Sequence, residues 1–251
     1  MLKAQGVKKT FFPGSVNEKR ALRGVDLTLG AGKSTFLNAI AGVFPIDSGT
    51  IEVGGVDISD MPEYKRAQYI GRVFQDPMRG TAGNMMIEEN LAMASRRGQK
   101  LGLSWSSKPE QTEKFREMLK ELDLGLEERM TAHVGLLSGG QRQALTLLMA
   151  TLVRPQLLLL DEHTAALDPK TAAKVLELTD RLVTTQKLTT LMITHNMRDA
   201  LRYGNRLVMM HAGRIVVDVK GDEKKHLTVP DLLALFEKGA GEVSDAMMLS
   251  S

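Results

Sequence analysis

The chain has 251 residues, 43% hydrophobic and 25% charged, the balance of a globular protein with a full core and not of a disordered or fibrous one. Basic residues outnumber acidic ones 33 to 30, a formal charge of +3, too small to point to nucleic acid or to electrostatic membrane binding. Cysteine is absent and no run of about 18 apolar residues occurs, which excludes disulfides, thiolate metal sites and a spanning helix and fits a reducing compartment; with only lysines and no apolar core in residues 1–10, export is not expected.

Apolar and polar residues alternate from Val25 to Leu29, as in a half-buried strand, and Ser34 to Ala41 reads as a helix with Phe36, Leu37 and Ile40 inward. Two short strand patterns, Thr50 to Val53 and Val56 to Ile58, flank Gly54-Gly55, a tight hairpin signal. Tyr69 to Phe74 reads as a strand stopped at Gln75-Asp76-Pro77. Between about Met85 and Val153 the period is helical, with Ile87 to Met93, Glu110 to Leu122 and Ser138 to Val153 as the segments, so a helical insertion is expected. From Gln156 onward strands and helices alternate: a strand to Leu160, a helix Pro169 to Val183, a strand Thr189 to Thr194, a helix Met197 to Tyr203 and a strand Arg206 to Met210. A turn at His211-Ala212-Gly213-Arg214 then leads into a strand from Ile215 to Val219. Such alternation predicts a parallel sheet with crossover helices. The charged tail after Lys220 has one amphipathic stretch, Val229 to Phe236, expected to pack loosely.

Phosphate chemistry is written in separate places along the chain. Gly30-Ala31-Gly32-Lys33-Ser34-Thr35 offers glycines that let backbone approach phosphates, an ammonium to reach them and a Ser34 hydroxyl able to ligate Mg²⁺; taken alone it could also be a glycine turn capping a helix. Leu137-Ser138-Gly139-Gly140-Gln141 opens a helix with unhindered N–H groups, a hydroxyl and the positive end of the dipole, all suited to phosphate. Asp161 ends the strand of leucines, at the sheet edge where α/β proteins bind ligands, and is the candidate for Mg²⁺. The adjacent Glu162 is the candidate to polarise an attacking water. Gln75 and His195 each close another strand at that edge, although a polar strand terminus or a structural histidine would look the same in isolation.

Taken in order, these motifs resemble the ATP-binding subunit of an ABC transporter, over roughly Leu2 to Val219. The resemblance implies a P-loop NTPase of the ABC type, α/β, with a mostly parallel core sheet, an antiparallel β subdomain and an inserted α-helical subdomain. It places an ATP-binding core at 1–84 and 154–219, a helical signature subdomain at 85–153 and an appendage at 220–251. By position, Gly30, Gly32, Lys33, Ser34 and Thr35 match the Walker A loop, Gln75 the Q-loop, Asp161 the Walker B aspartate and Glu162 the catalytic glutamate. Ala166-Leu167-Asp168 matches the D-loop, His195 the switch histidine, and Phe11 the aromatic that stacks on adenine, with Phe12 adjacent and a core role open for either. The implied cofactors are ATP and Mg²⁺. The implied partners are a second copy, head to tail, with ATP between one Lys33 loop and the other Ser138-Gly139-Gly140, together with a membrane permease and a solute-binding protein. The implied place is peripheral, on the cytoplasmic face of the cell membrane, and the implied work is ATP-driven uptake of a small solute such as an amino acid.

The chain departs from the family at three points. Glycine is required at position 27 and Leu27 stands there, and Leu29 runs straight into Gly30 where a strand should feed the loop. Roughly a dozen residues, a strand and half a loop by usual strand length, are expected to be missing here. An intact mass above 27.6 kDa would reveal omitted residues, whereas a true deletion should abolish ATP binding. His163 stands where many relatives have proline and is expected to be a packing difference without a catalytic role. His133, His211 and the Arg96, Arg97 and Lys100 cluster read as solvated. Trp105 reads as a surface or small-core residue, and the 15 methionines as core filling. Non-transport ATPases of the family usually carry a coiled coil or second cassette, for which the chain has no room, and Glu162 with His195 argues against a module that assembles without turnover.

Overall fold

The computed structural model describes residues 2–15, 18–25, 33–99, 109–211 and 214–248, with backbone alone at 23–25, 33–34, 214 and 242–248. The chain runs β1 (Leu2–Phe11), β2 (Lys19–Val25), α1 (Lys33–Ala41), β3 (Ser48–Val53), β4 (Val56–Asp57), α2 (Glu63–Arg66), β5 (Ile70–Val73), α3 (Ile87–Ser95) and α4 (Pro109–Lys120). It continues through α5 (Gly139–Leu152), β6 (Leu157–Asp161), α6 (Pro169–Gln186), β7 (Thr190–Ile193), α7 (Met197–Arg202), β8 (Arg206–His211), β9 (Arg214–Lys220), α8 (Gly221–His226) and α9 (Val229–Met248). Two compact units result, one of Met1–Glu63 with Ile193–Ser251 and one of Tyr64–Met192.

The first unit carries an antiparallel sheet of order β2-β1-β3-β4. Leu2 and Ala4 of β1 and Ile51 and Val53 of β3 are buried in period-2 alternation, as a one-sided sheet requires, and Val7 is buried in the opposite phase, within the register irregularity between Gln5 and Lys8. Gly54 and Gly55 turn β3 into β4 with φ of 60° and 87°, a left-handed pair that glycine adopts without Cβ strain. Helix α1 buries Phe36, Leu37, Ala39 and Ile40. Toward the C-terminus, α9 lies against the β8–β9 hairpin and buries Leu232 among Leu207, Val217 and Val219, so the tail does not pack loosely. Two carbonyls explain why Lys224 can also be buried there. Its ammonium donates to the Tyr203 and Gly204 carbonyls at 2.5 and 2.7 Å, at the C-terminal end of α7, where the helix dipole favours a cation.

The second unit is built on a sheet of order β5-β6-β7 with helices around it. β5 and β6 are parallel, in register from Ile70↔Leu157 to Val73↔Leu160. All four leucines of β6 are at most 1% exposed, which is why that strand reads as an unbroken apolar run and does not alternate. Helix α5 packs on this sheet with Ala144, Leu145, Leu147 and Leu148 buried, and α3, α4 and α6 add Ile87, Leu91, Phe115, Leu119, Leu178 and Leu182 to the same core. At about 1.5–3 kcal/mol per fully buried aliphatic side chain, this cluster is the main source of the unit's stability. Gly71 lets β5 approach α5, since a Cβ there would sit 2.4 Å from the Ala150 carbonyl oxygen.

Arg97 corrects the expectation of a solvated basic cluster. Its guanidinium donates to the carbonyls of Ala150, at 2.7 Å, and Val153, supplying donors to the C-terminal end of α5. Lys100 and Trp105 lie outside the described residues. No helix among the described residues is long and apolar enough to cross a membrane.

Candidate nucleotide site

The start of α5 is fixed from several directions. Ser138 is its N-cap: the hydroxyl accepts from the Gln141 N–H at 3.2 Å while Gln141 Oε1 accepts from the Ser138 N–H at 3.1 Å, a reciprocal capping box. The same Gln141 amide donates to the Leu124 carbonyl at 3.2 Å. Arg142 gathers the carbonyls of Val134, Gly135 and Leu137, at 3.2, 3.0 and 3.0 Å, and so holds the loop that delivers the serine. Ser138 and Gly139 are exposed and Gly140 is buried. The Ser138 hydroxyl spends a lone pair on its cap, so its proton can still be donated outward to an anion.

Gly140 is demanded by packing within this unit. A Cβ at that position would lie 2.1 Å from Thr171 Cγ2, and one at Gly139 would lie 3.3 Å from Leu167 Cδ2. Thr171 in turn donates its N–H to Asp168, the N-cap of α6, at 3.1 Å. That cap holds the exposed Asp168 carboxyl below the usual carboxylate range, through hydrogen bonds from the Thr171 side chain and backbone. The start of α5 and the start of α6 are therefore one packed assembly, with Ser138 and Asp168 both on its surface.

Asp161 is the last residue of β6 and Gln75 lies two residues beyond β5, its parallel neighbour. Glu162 comes next after Asp161 and takes φ 46°, a left-handed conformation that costs a non-glycine residue energy and turns the chain sharply off the strand. His163 anchors that turn. It is 2% exposed, and its Nε2 lies 3.1 Å from Thr179 Oγ1. Because the Thr179 hydroxyl donates to the Val175 carbonyl at 2.7 Å, Nε2 must carry the proton and donate to Thr179. Burial lowers the His163 pKa to about 4, so the ring is neutral near neutrality.

In the other unit, Phe11 is half-buried and meets Phe44 edge to face at 5.3 Å, with the Lys9 ammonium 5.6 Å from its ring centre. Phe12 is 69% exposed at φ 54°; neither ring lies deep in the core. Lys33, Ser34 and Thr35 open α1, and Gly30, Ala31, Gly32 and the departure at Leu27 lie outside the described residues. His195 is exposed two residues beyond β7, just before Asn196, which caps α7 by accepting from the Arg198 and Asp199 N–H groups at 3.0 and 3.4 Å. The predicted site residues are thus divided between units: Phe11, the Lys33 group and His195 in one, and Gln75, Ser138 to Gln141, Asp161, Glu162 and Asp168 in the other.

A family model described as ABC transporter matches residues 17–165, more than half of the chain. The chain belongs to the ABC transporter family. It is 48% identical over 208 residues to a tyrosine transport ATP-binding protein of Clostridioides difficile, covering 83% of this chain and 82% of that one. A thiamine import ATP-binding protein of Shigella flexneri is 34% identical over 194 residues, covering 77% and 78%. A methionine import ATP-binding protein of Enterococcus faecalis is 33% identical over 237 residues, covering 88% of this chain and 65% of that one. Among solved structures, an ATP-binding cassette captured as a dimer after hydrolysis with ADP and Pi superposes with a TM-score of 0.73 at 26% identity, over 88% of this chain and 98% of that one. The ADP conformation of a second ABC transporter cassette gives 0.75 at 26% identity, over 94% and 98%. The chain is accordingly an ATPase with the P-loop fold of ABC cassettes.

Mg²⁺ takes oxygen ligands and is commonly held by one or two carboxylates together with substrate phosphates and water. Asp161, 16% exposed at the tip of β6, fits such a role. Among the described residues no group of three or more His, Asp or Glu side chains is placed to hold a metal ion by itself. Three further residues, Thr171, Gln143 and Arg72, support the candidate site residues by packing against Gly140, bonding the Phe74 carbonyl and pairing with Asp161. A charge inside an otherwise apolar strand, Ile70-Gly71-Arg72-Val73, was the available signal for Arg72; Thr171 and Gln143 show their roles only in three dimensions.

Proposed function

We propose that this chain is the ATP-hydrolysing subunit of an ABC importer, working as a head-to-tail pair on the cytoplasmic face of a membrane permease that receives an amino acid or similar small solute from a binding protein. In this reading the core at 1–84 and 154–219 holds nucleotide, 85–153 presents the signature helix and 220–251 is an appendage. Lys33 binds the β- and γ-phosphates, and Ser34, Gln75 and Asp161 hold Mg²⁺, which supplies neutralisation of phosphate charge when bound. Glu162 polarises the attacking water, His195 steadies the γ-phosphate and Phe11 stacks on adenine. Ser138, Gly139, Gly140 and Gln141 of one copy donate to the γ-phosphate held by the other, with Asp168 alongside.

The reading is supported most by one observation: the capped, outward-facing Ser138 lies at the head of the buried α5, in the same unit as Asp161 and Glu162 at the carboxyl ends of the strands. An exposed hydroxyl and glycine amides at a rigid helix start are suited to an anion brought by a neighbour. The solute class rests on the tyrosine transport relative. Phosphate release tests the chemistry. Glu162→Gln should lose turnover by about 10²- to 10⁴-fold, the range for a general base, while still retaining ATP; wild-type turnover in that variant would remove Glu162 from the role.

A further inference from the structure

Parallel register sets Arg72 beside Leu159, and Asp161, two residues further along, falls on the same face of the sheet. The guanidinium reaches it: Arg72 Nη2 stands 3.6 Å from Asp161 Oδ2, with side chains 13% and 16% exposed. Arg72 is also held from the side. Its Cζ lies 4.5 Å from the centre of the Phe74 ring, which Arg79 approaches at 5.4 Å. The Phe74 carbonyl accepts from Gln143 Nε2 of α5 at 3.1 Å, so the helix that begins at Ser138 also steadies the strand end carrying Arg72.

An ion pair this far out of water is a poor source of stability, because desolvation offsets most of the attraction and an apolar pair of equal volume does as well. Its separation exceeds that of a close bidentate arginine–carboxylate fork, so this contact is held by charge and not by a tight pair of hydrogen bonds. We propose that Arg72 is a resident counter-ion of Asp161, a positioning residue that yields the carboxylate only in exchange for a divalent cation. Arg72 thereby sets how much cation the site requires and keeps Asp161 from repelling phosphate while no cation is there. This rests on the assignment of Asp161 made above.

The test is calorimetry of ADP binding to the full chain, with Mg²⁺ titrated in and separately with EDTA, for wild type, Arg72→Met and Arg72→Lys, each checked for folding by its melting transition. Arg72→Met should lower the Mg²⁺ concentration for half-maximal ADP binding by at least about fivefold, the low end of typical coupling between linked ligands, and should weaken ADP binding in EDTA. Arg72→Lys should stay near wild type in both. A purely structural arginine would instead lower both affinities together, or neither, and either result in a folded variant overturns the proposal. Wild-type protein that binds no ADP under any condition would sink the nucleotide-site reading itself, a different and recognisable failure.

Discussion

The two segments proposed to meet phosphate are specified in different ways. At the signature end every group has a fixed neighbour: Ser138 and Gln141 cap each other, Arg142 ties down the approach and Gly140 is pressed against Thr171. At the lysine end, Lys33 opens α1 three residues after the junction of Leu29 and Gly30, where a strand and half a loop are expected to be missing, and Leu27 stands where the pattern needs glycine. A helix start needs only a cap and small residues, and local sequence can write both. A phosphate loop needs an entire strand–loop–helix course, and about a dozen residues fewer between Leu29 and Gly30, a strand and half a loop, break the pattern.

The largest expected effect separates the ends by binding. Lys33→Ala should weaken ATP binding to the single subunit by about a hundredfold, the worth of a charge-assisted contact. Ser138→Ala should leave that binding within about twofold and instead remove ATP-dependent pairing, as its proposed role toward the other copy's nucleotide requires. Nucleotide titration and light scattering on each variant would check this, and equal losses of subunit affinity would erase the distinction.

Next in size is the packed start of α5. Gly140→Ala should destabilise the fold by up to about 3 kcal/mol, the upper range for overpacking, and Thr171→Ser, by removing the methyl that Ala would strike, should recover most of it. Denaturant melts of the two single variants and the double variant give the coupling. Additive losses would mean that Gly140 is needed for another reason.

Smaller still is the effect of pH through His163. Its pKa is lowered to about 4 in the fold from 6.5, so the unfolded chain takes up the proton first as pH falls. Stability from this group is intact above the unfolded value and is lost as pH falls toward the folded one, by about 2 kcal/mol between about pH 7 and pH 5. His163→Gln should flatten that part of the stability–pH curve; an unchanged slope would show that another group titrates there.

Much of this was legible in the sequence. The Gly54-Gly55 turn, the leucine strand before Asp161, the helix behind Ser138 and the alternation after Gln156 all follow from local periods and turn chemistry, and each stands within a residue or a few of its expected bounds. What stayed hidden depends on distant neighbours. Arg97 sits in a run of basic residues and looks solvated, yet it closes the end of a helix more than fifty positions away. The α9 tail has an amphipathic stripe, but its docking depends on Leu207, Val217 and Val219. His163 reads as a packing difference and is buried as one, but its hydrogen bond to Thr179, which ties the turn after Glu162 to α6, depends on a residue sixteen positions away.

The central claim is that ATP joins two copies, with Lys33 from one and Ser138 from the other. Sedimentation of the Glu162→Gln chain with and without Mg·ATP tests it most directly, because that variant should hold ATP without consuming it. The account predicts a single subunit without nucleotide and a pair with it, the pair being lost on adding Ser138→Ala. A single subunit at saturating ATP, or a pair indifferent to both nucleotide and Ser138, would contradict it.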